Sequence, residues 1–222
     1  MSGIGLGAVE KMDAEDALAP FRGLFHLPEG LIYLDGNSLG PAPKAAFAEI
    51  EQAAREEWAE DLITSWNKAG WFMLTDTLGA KVARLIGAEA NEVVVCDTTS
   101  VNIYKTLQAA LSLRPGRKVI VSEGGSFPTD LYVLDGVQSL APDVAVRLEG
   151  VDGERIEDLI ADDTAVVLAN QVDYRSGAIK DVAAVTARAH EAGALIVWDL
   201  CHSAGVMPVG LNACGADFAV GC

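Results

Sequence analysis

The stretch LIVWDLCHSAGVMPV, residues 195–209, begins with four consecutive apolar residues that run directly into a carboxylate, Asp199. His202 follows three positions later, and a bend of small residues comes after it. A continuous apolar run of this length predicts a β-strand that is covered on both faces, which is typical of a parallel sheet. Because burial removes water from a charged group, the carboxylate at the end of this strand needs a partner.

Runs of the same kind recur after residue 90 and predict the other strands of a sheet. They are EVVVC (92–96), KVIVS (118–122), VAVRL (144–148), TAVVLAN (164–170) and DFAVG (217–221). Segments with helical spacing lie between them, as in residues 181–193, where Asp181 could cap the helix start and Gly193 could end it. The alternation predicts an α/β fold with a mostly parallel sheet and helices on both faces.

Composition limits both the organisation of the chain and its partners. Of the 222 residues, 50% are hydrophobic and 22% charged, which predicts a packed core. We expect an N-terminal arm (1–42) followed by one large domain (43–222). The formal net charge of −16 disfavours nucleic acid and anionic membrane surfaces as partners. The four cysteines form no CxxC pair and there are three histidines, so we expect no metal site and a reducing, cytoplasmic location.

Polar and aromatic side chains follow four of the predicted strands. They stand in DTTS (97–100), in SFPTDLY (126–132), at Asn170 with DYRSG (173–177) behind it, and at Asp199 with His202 behind it. Ligands of open α/β sheets bind outside the carboxyl ends of the strands. We therefore expect these groups to converge on one small-molecule site.

The side chains after the first strands each have two interpretations. The hydroxyls of DTTS (97–100) could bind a phosphate at a helix N-terminus, or they could cap that helix. Phe127 could stack on a flat ligand. In the structural alternative the same stretch starts a helix, with Thr129 as the cap and Asp130 in the first turn.

The groups after the strand at 195–199 leave more alternatives open. Asp199 could pair with a protonated cofactor nitrogen, with an arginine or with a helix N-terminus. His202 alone is more often a core histidine than a functional one. A catalytic pair of Cys201 and His202 is disfavoured, because sequence neighbours usually point in different directions.

An anion site, a stacking ring and a buried carboxylate together suit a phosphorylated, flat and cationic heterocycle. Pyridoxal phosphate has these three properties. A dinucleotide cofactor is disfavoured, because the glycines of GIGLGAV (3–9) follow no strand.

Five stretches, in the same order along the chain, closely resemble bacterial kynureninases. They are IYLDGNSLGPAP (32–43), SWNKAGW (65–71), DTTSVN (97–102), SFPTDLY (126–132) and WDLCHSAGVMPVGL (198–211). The resemblance runs from about Asp16 to Cys222. It implies a pyridoxal-phosphate enzyme of the aspartate-aminotransferase fold, fold type I. The implied reaction, part of tryptophan catabolism, cleaves L-kynurenine, or 3-hydroxykynurenine, with water to anthranilate, or 3-hydroxyanthranilate, and L-alanine. A homodimer with active sites at the subunit interface is implied as well.

The resemblance also implies which residues surround the cofactor. They are Thr99, Ser100, Phe127, Pro128, Thr129, Asp130, Asn170, Asp199 and His202. Thr99 and Ser100 would hold the phosphate, and Phe127 would stack on the pyridine ring. Asp130 would lie near the polar substituents of the ring, and Asp199 would pair with the ring nitrogen.

For four positions, two of them outside that list, the resemblance implies a role in less detail. His202 would pack near the cofactor, and Asn170 occupies a position where Ser or Thr is more usual. Ser38 and Trp66 lie in stretches that help to form the substrate pocket.

The lysine that holds the cofactor aldehyde is expected beyond Cys222, together with a small C-terminal domain. Lys105 and Lys180 lie in the wrong sequence contexts for that role. A polypeptide of these 222 residues alone is therefore expected to be inactive.

Two other functions compete with this interpretation. One is another fold type I enzyme, such as a cysteine desulfurase or a class V aminotransferase, although such enzymes often stack a histidine where this chain has Phe127. The other is a non-catalytic binding domain that keeps the fold without the lysine.

Overall fold

The structure is a computed structural model that describes residues 5–150 and 153–222. Contacts within the chain divide it into two compact units, one that ends at Phe72 and one that spans Met73–Cys222. Residues 43–72, which were predicted to belong to the large domain, fall in the first unit.

The first unit is built from short helices and turns. Its α-helices are α1 (Leu6–Glu15), α2 (Lys44–Gln52) and α3 (Ser65–Lys68). A π-helical segment, Ala53–Trp58, continues α2, and 3-10 turns span Ala19–Leu24, Leu62–Thr64 and, at the boundary of the units, Trp71–Met73. Of the GIGLGAV stretch, residues 3 and 4 lie outside the described residues, and α1 begins within the remainder.

The second unit contains a five-stranded parallel sheet. The strands are β1 (Val119–Glu123), β2 (Ala145–Glu149), β3 (Thr164–Asn170), β4 (Leu195–Asp199) and β5 (Phe218–Val220). Their order is β2-β1-β3-β4-β5, and every neighbouring pair is parallel. The predicted fold class is therefore confirmed. In the register of the two central strands, Asn170 lies opposite Asp199, so these strands end at the same level.

Helices cover both faces of this sheet. They are α4 (Leu74–Ile86), α5 (Thr99–Leu113), α6 (Pro128–Leu140), α7 (Ile156–Leu159), α8 (Val182–Glu191) and α9 (Leu211–Cys214). Alternate residues of β4 enter different cores: Val197 packs in the cluster with α5 and α6, whereas Trp198 packs in the cluster with α8. Burial on both faces explains why the fully buried strands β3 and β4 read as nearly continuous apolar runs, whereas β2 at the edge of the sheet is partly exposed. No helix within residues 5–150 and 153–222 is long and apolar enough to cross a membrane.

The ends of α8 agree with the signals in its sequence. The Asp181 carboxylate accepts a hydrogen bond from the backbone N–H of Ala184 at 3.0 Å, as an N-cap does. Gly193 follows the helix at a φ of +75°, where L residues are strained. A Cβ atom on Gly193 would also lie 2.6 Å from the guanidinium of Arg117, so that side chain would have to shift if the glycine were replaced.

The predicted strand at EVVVC (92–96) is wrong. The segment has no regular secondary structure and pairs with no strand within the described residues, and Val94 and Val95 are 55% and 42% exposed. It packs instead on α4, where a Cβ atom on Gly79 would lie 1.9 Å from the Val93 carbonyl oxygen. An apolar β-branched run becomes a strand only when a neighbour accepts its backbone hydrogen bonds.

Candidate functional site

The carboxyl ends of β1, β3 and β4 bring several predicted site residues together. The Nδ2 of Asn170, the last residue of β3, donates to Oε2 of Glu123 at 3.0 Å and to Oγ of Ser126 at 2.7 Å. Ser126 Oγ in turn donates to Oδ2 of Asp130 at 2.9 Å. The stretch 126–132 and the end of β3 therefore meet where the topology of a parallel sheet predicts a ligand site.

Two carboxyl groups lie side by side at the centre of this region. Asp130, in the first turn of α6, is 2% exposed, and Asp199, at the end of β4, is 4% exposed. Burial, and then the adjacent charge of Asp199, raise the pKa of Asp130 to about 6. Among the described residues, neither group forms an ion pair with a lysine or an arginine. The pair can therefore accommodate a cation.

Aromatic rings from the segments that follow β1, β3 and β4 contact one another. Phe127 is 45% exposed and makes an edge-to-face contact with Tyr174, with ring centroids 5.4 Å apart. Tyr174 also lies 6.1 Å from the His202 ring, and the Arg175 guanidinium lies 5.1 Å from the Tyr174 centroid. His202 thus belongs to this aromatic group. No role was predicted for Tyr174. Its position in DYRSG, four residues after the end of β3, was the signal that could have found it.

The N-terminus of α5 supports both interpretations of DTTS, at different residues. Thr98 is the cap, because its Oγ1 accepts a hydrogen bond from the backbone N–H of Val101 at 3.4 Å. Thr99 and Ser100 are the first helical residues and are half-buried. Thr99 Oγ1 lies 3.7 Å from Sγ of Cys201, so this helix end lies close to the end of β4. The first N–H groups of a helix lack intrahelical acceptors and favour an anion.

The helix start in SFPTDLY differs from the predicted one. Phe127 is the N-cap residue, Pro128 occupies the first helical position, and Thr129 is exposed in the first turn. The prediction of Thr129 as the cap is therefore wrong. Proline suits the first position because its fixed φ is helical and its missing N–H costs no hydrogen bond there. Asp130 stands in the first turn, as predicted.

The thiol of Cys201 does not have the properties of a nucleophile. Burial raises its pKa above the ordinary value, and the charge of Asp199 raises it further. A thiol that stays protonated is a poor nucleophile. The structure therefore argues against a Cys201–His202 catalytic pair.

Lys105 and Lys180, which were not expected to bind the cofactor aldehyde, both form ion pairs with carboxylates. Lys180 Nζ lies 3.0 Å from Oε1 of Glu123 and 3.1 Å from Oε2 of Glu149. Lys105 forms an ion pair with Asp97. Among the residues that the structure describes, no group of three or more His, Cys, Asp and Glu side chains could hold a metal ion.

The two predicted substrate-pocket residues belong to the first unit. Ser38 Oγ donates to Oδ1 of Asp35 at 2.7 Å. Trp66 is exposed and makes an edge-to-face contact with Trp71, with ring centroids 6.5 Å apart. Trp71 is held in turn by a hydrogen bond from its Nε1 to Oε2 of Glu57 at 2.7 Å.

Solved structures with a similar fold include cysteine desulfurases. CsdA from Escherichia coli aligns with 90% of this chain and 53% of its own, with a TM-score of 0.71 and 22% identity. The apo cysteine desulfurase of Thermococcus onnurineus NA1 aligns with 99% of this chain and 53% of its own, with a TM-score of 0.66 and 20% identity. At these identities the likeness shows the fold alone, and it agrees with the fold type predicted from the sequence.

Sequence relatives are closer and point to a family. The kynureninase of Pseudomonas fluorescens is 50% identical over 216 residues, which are 95% of this chain and 52% of the relative. The kynureninase of Deinococcus radiodurans is 48% identical over 224 residues, 99% of this chain and 54% of the relative. The chain thus spans about half the length of the curated relatives it matches. The family model described as aminotransferase class-V matches residues 32–221, and this match shows that the chain belongs to the aminotransferase class-V family.

Proposed function

We propose that the protein is a kynureninase, which uses pyridoxal phosphate to cleave L-kynurenine with water into anthranilate and L-alanine. The observation that carries the proposal is the 50% identity to a kynureninase over 95% of this chain. The match covers 95% of this chain, whereas the similar cysteine desulfurase structures are only 20% and 22% identical.

The described residues fit pyridoxal phosphate at three places. The buried Asp130 and Asp199 form no ion pair with a lysine or arginine among the described side chains, which suits a protonated pyridine nitrogen beside Asp199. The exposed ring of Phe127 suits stacking on a flat heterocycle. Thr99 and Ser100, at the N-terminus of a 15-residue helix, suit a phosphate.

Each of these residues has a defined task in the proposed reaction. When bound, pyridoxal phosphate withdraws electrons from the α-carbon of an amino acid and so makes bonds at that carbon easier to break. Asp199 keeps the pyridine nitrogen protonated, because a buried carboxylate stabilises an adjacent cation. Thr99 and Ser100 hold the phosphate, and Phe127 excludes water from one face of the ring. Asp130 and Asn170 would lie near the polar substituents of the ring, and Pro128 and Thr129 form the first turn of α6 beside Asp130.

The remaining predicted positions complete the proposal. His202 packs beside the cofactor together with Tyr174, and Ser38 and Trp66 contribute to the substrate pocket. We also propose a homodimer, and a cytoplasmic location that the four free cysteines support. Sedimentation of the intact protein as a monomer alone would contradict the dimer.

The test supplies the intact protein with pyridoxal phosphate and follows two reactions in parallel. With L-kynurenine we expect anthranilate, detected by its fluorescence, and L-alanine in equal amounts. With L-cysteine we expect neither alanine nor released sulfide. Alanine and sulfide from cysteine without anthranilate from kynurenine would show a cysteine desulfurase. Uptake of the cofactor without either reaction would show a non-catalytic binding domain. Either result overturns the proposal.

A further inference from the structure

A buried carboxylate that the proposed reaction does not use lies behind the site. Glu123, the last residue of β1, is 6% exposed. Its Oε2 accepts hydrogen bonds from the backbone N–H of Asn170 at 2.6 Å and from the Asn170 side-chain Nδ2 at 3.0 Å. Its Oε1 forms the ion pair with Lys180 at 3.0 Å. Every oxygen of this carboxylate is therefore engaged.

The contacts of Glu123 determine the direction of a chain of hydrogen bonds. A carboxylate accepts only, so the Asn170 amide must present its NH2 group to Glu123, and the same NH2 group reaches Ser126 Oγ at 2.7 Å. Since an NH2 group only donates, the Ser126 hydroxyl must accept from it. The single proton of Ser126 is then directed to Oδ2 of Asp130, 2.9 Å away.

We propose that Glu123 is a positioning residue: by fixing the orientation of the Asn170 amide, it makes Ser126 a permanent hydrogen-bond donor to one oxygen of Asp130. Oδ2 of Asp130 is thereby kept as an acceptor, and any proton shared between Asp130 and Asp199 is confined to the other oxygen. Any effect of Glu123 on the cofactor rests on the proposed function, because only that proposal places the pyridine ring beside Asp130.

Lys180 is the charged partner of the Glu123 carboxylate, with Nζ 3.0 Å from Oε1. Burial alone would lower the pKa of Lys180, but the charges and hydrogen bonds of Glu123 and Glu149 raise it above its ordinary value. The ammonium group therefore stays charged beside Glu123 at neutral pH. A protonated Glu123 could donate to the Asn170 oxygen and so allow the amide to turn over.

The groups that face Asp130 make the proposal testable, because they predict whether the pKa of Asp130 rises or falls when Glu123 is removed. They are Asp199 from β4, Glu123 from β1 and Ser126 from the turn before α6. The Ser126 hydrogen bond lowers the pKa of Asp130, whereas the negative charge of Glu123 raises it by a smaller amount. Removing Glu123 raises the pKa of Asp130 if orientation dominates, and lowers it if Glu123 acts by charge alone.

The experiment measures the titration of the Asp130 carboxyl carbon by 13C NMR in the intact, cofactor-free protein. In Glu123→Met we expect the midpoint to rise by roughly half a pH unit or more. Glu149→Met is the matched control: it removes a carboxylate from the same Lys180 but leaves the acceptor of Asn170 in place, so the midpoint should not rise. An unchanged or lower midpoint in Glu123→Met overturns the proposal.

A second set of variants tests whether Glu123 changes the Asp130 midpoint through the hydrogen bond from Ser126. Ser126→Ala removes the donor directly and should also raise the Asp130 midpoint, and adding Glu123→Met to it should raise it no further. If Glu123→Met does not fold, Glu123→Ala tests the same link in the same titration, since it also removes the acceptor that fixes the Asn170 amide; here again an unchanged or lower midpoint overturns the proposal. These titrations need no cofactor, so failure of pyridoxal phosphate to bind contradicts the proposed function and leaves this inference intact.

Discussion

Charged side chains lie both at the edge of the sheet where the parallel strands begin, the amino edge, and at the edge where they end, the carboxyl edge. Their roles at the two edges differ. At the amino edge, Arg117 precedes β1 and donates to the carbonyl oxygens of Thr164 at 2.9 Å and Ala192 at 2.6 Å. Asp217 precedes β5 and lies 2.9 Å from both the His190 Nε2 and the Ile196 backbone nitrogen. Each charge at this edge is completed by partners within the fold.

The carboxyl edge is arranged differently. There Asp199 accepts a hydrogen bond from the backbone N–H of Cys201 at 2.8 Å, but the other group at its side is a second carboxyl, that of Asp130. Like charges so placed oppose each other, and their free energy improves when a cation binds. The difference shows which edge stabilises the fold and which edge is available to a ligand.

The largest expected effect distinguishes two aspartates at opposite edges. Replacing Asp199 with alanine should weaken pyridoxal phosphate binding at least about 100-fold, because breaking a buried charge pair costs about 3–5 kcal/mol. Asp217→Asn should leave the affinity within about twofold, since Asp217 serves the backbone of β4 and not the ligand. Absorbance or fluorescence titration with the cofactor measures both. Equal losses in the two variants would abolish the distinction between the edges.

The second prediction concerns stability at the amino edge. Arg117→Ala leaves two backbone carbonyls without their charged donor, so the free energy of unfolding should fall by about 2–3 kcal/mol in urea denaturation. Lys118→Ala is the neighbouring control: its ion pair with Asp143 is exposed, and the loss should stay below about 1 kcal/mol. Cofactor affinity at a temperature where the Arg117 variant is folded should be unchanged, and a large loss of affinity would contradict the assignment.

The smallest predicted effect is a gain of stability at the carboxyl edge. The folded-state pKa of Asp130, about 6, is above its ordinary value of 3.8, so the folded state binds the proton more tightly than the unfolded state. The ionised carboxyl therefore destabilises the cofactor-free protein increasingly as pH rises from about 4 to about 6. Asp130→Asn should be more stable than the natural protein by about 1–2 kcal/mol at pH 8, allowing for solvent screening, and equal to it near pH 4.

Urea denaturation of the cofactor-free protein at the two pH values checks this sign. Asp217→Asn, measured in the same way, should show no gain at pH 8, because its carboxylate has partners in the fold. If the natural protein were more stable than Asp130→Asn at pH 8, the charge of the Asp130 carboxylate would already be stabilised by other groups of the protein.

Local sequence signals succeeded where a single element decides the outcome. The cap at Asp181 and the glycine at 193 depend on backbone geometry within one helix, and both stand where the pattern placed them. The signal failed at 92–96, because strand formation needs a neighbour that periodicity does not reveal. The sequence also predicted Thr129 as the N-cap of α6, although the helix begins at Pro128. The preference of threonine for capping positions does not by itself locate the first turn of a helix.

By itself the sequence determined the parallel α/β fold and the edge at which polar groups collect, because apolar runs and strand-end polarity are properties of consecutive residues. Only the tertiary structure decided that Asp130 meets Asp199, that Tyr174 joins Phe127 and His202, and that Glu123 and Lys180 stand behind Asn170. These pairs lie far apart in the chain, and their charges and hydrogen bonds depend on distances of a few ångströms that only the packing of whole elements sets.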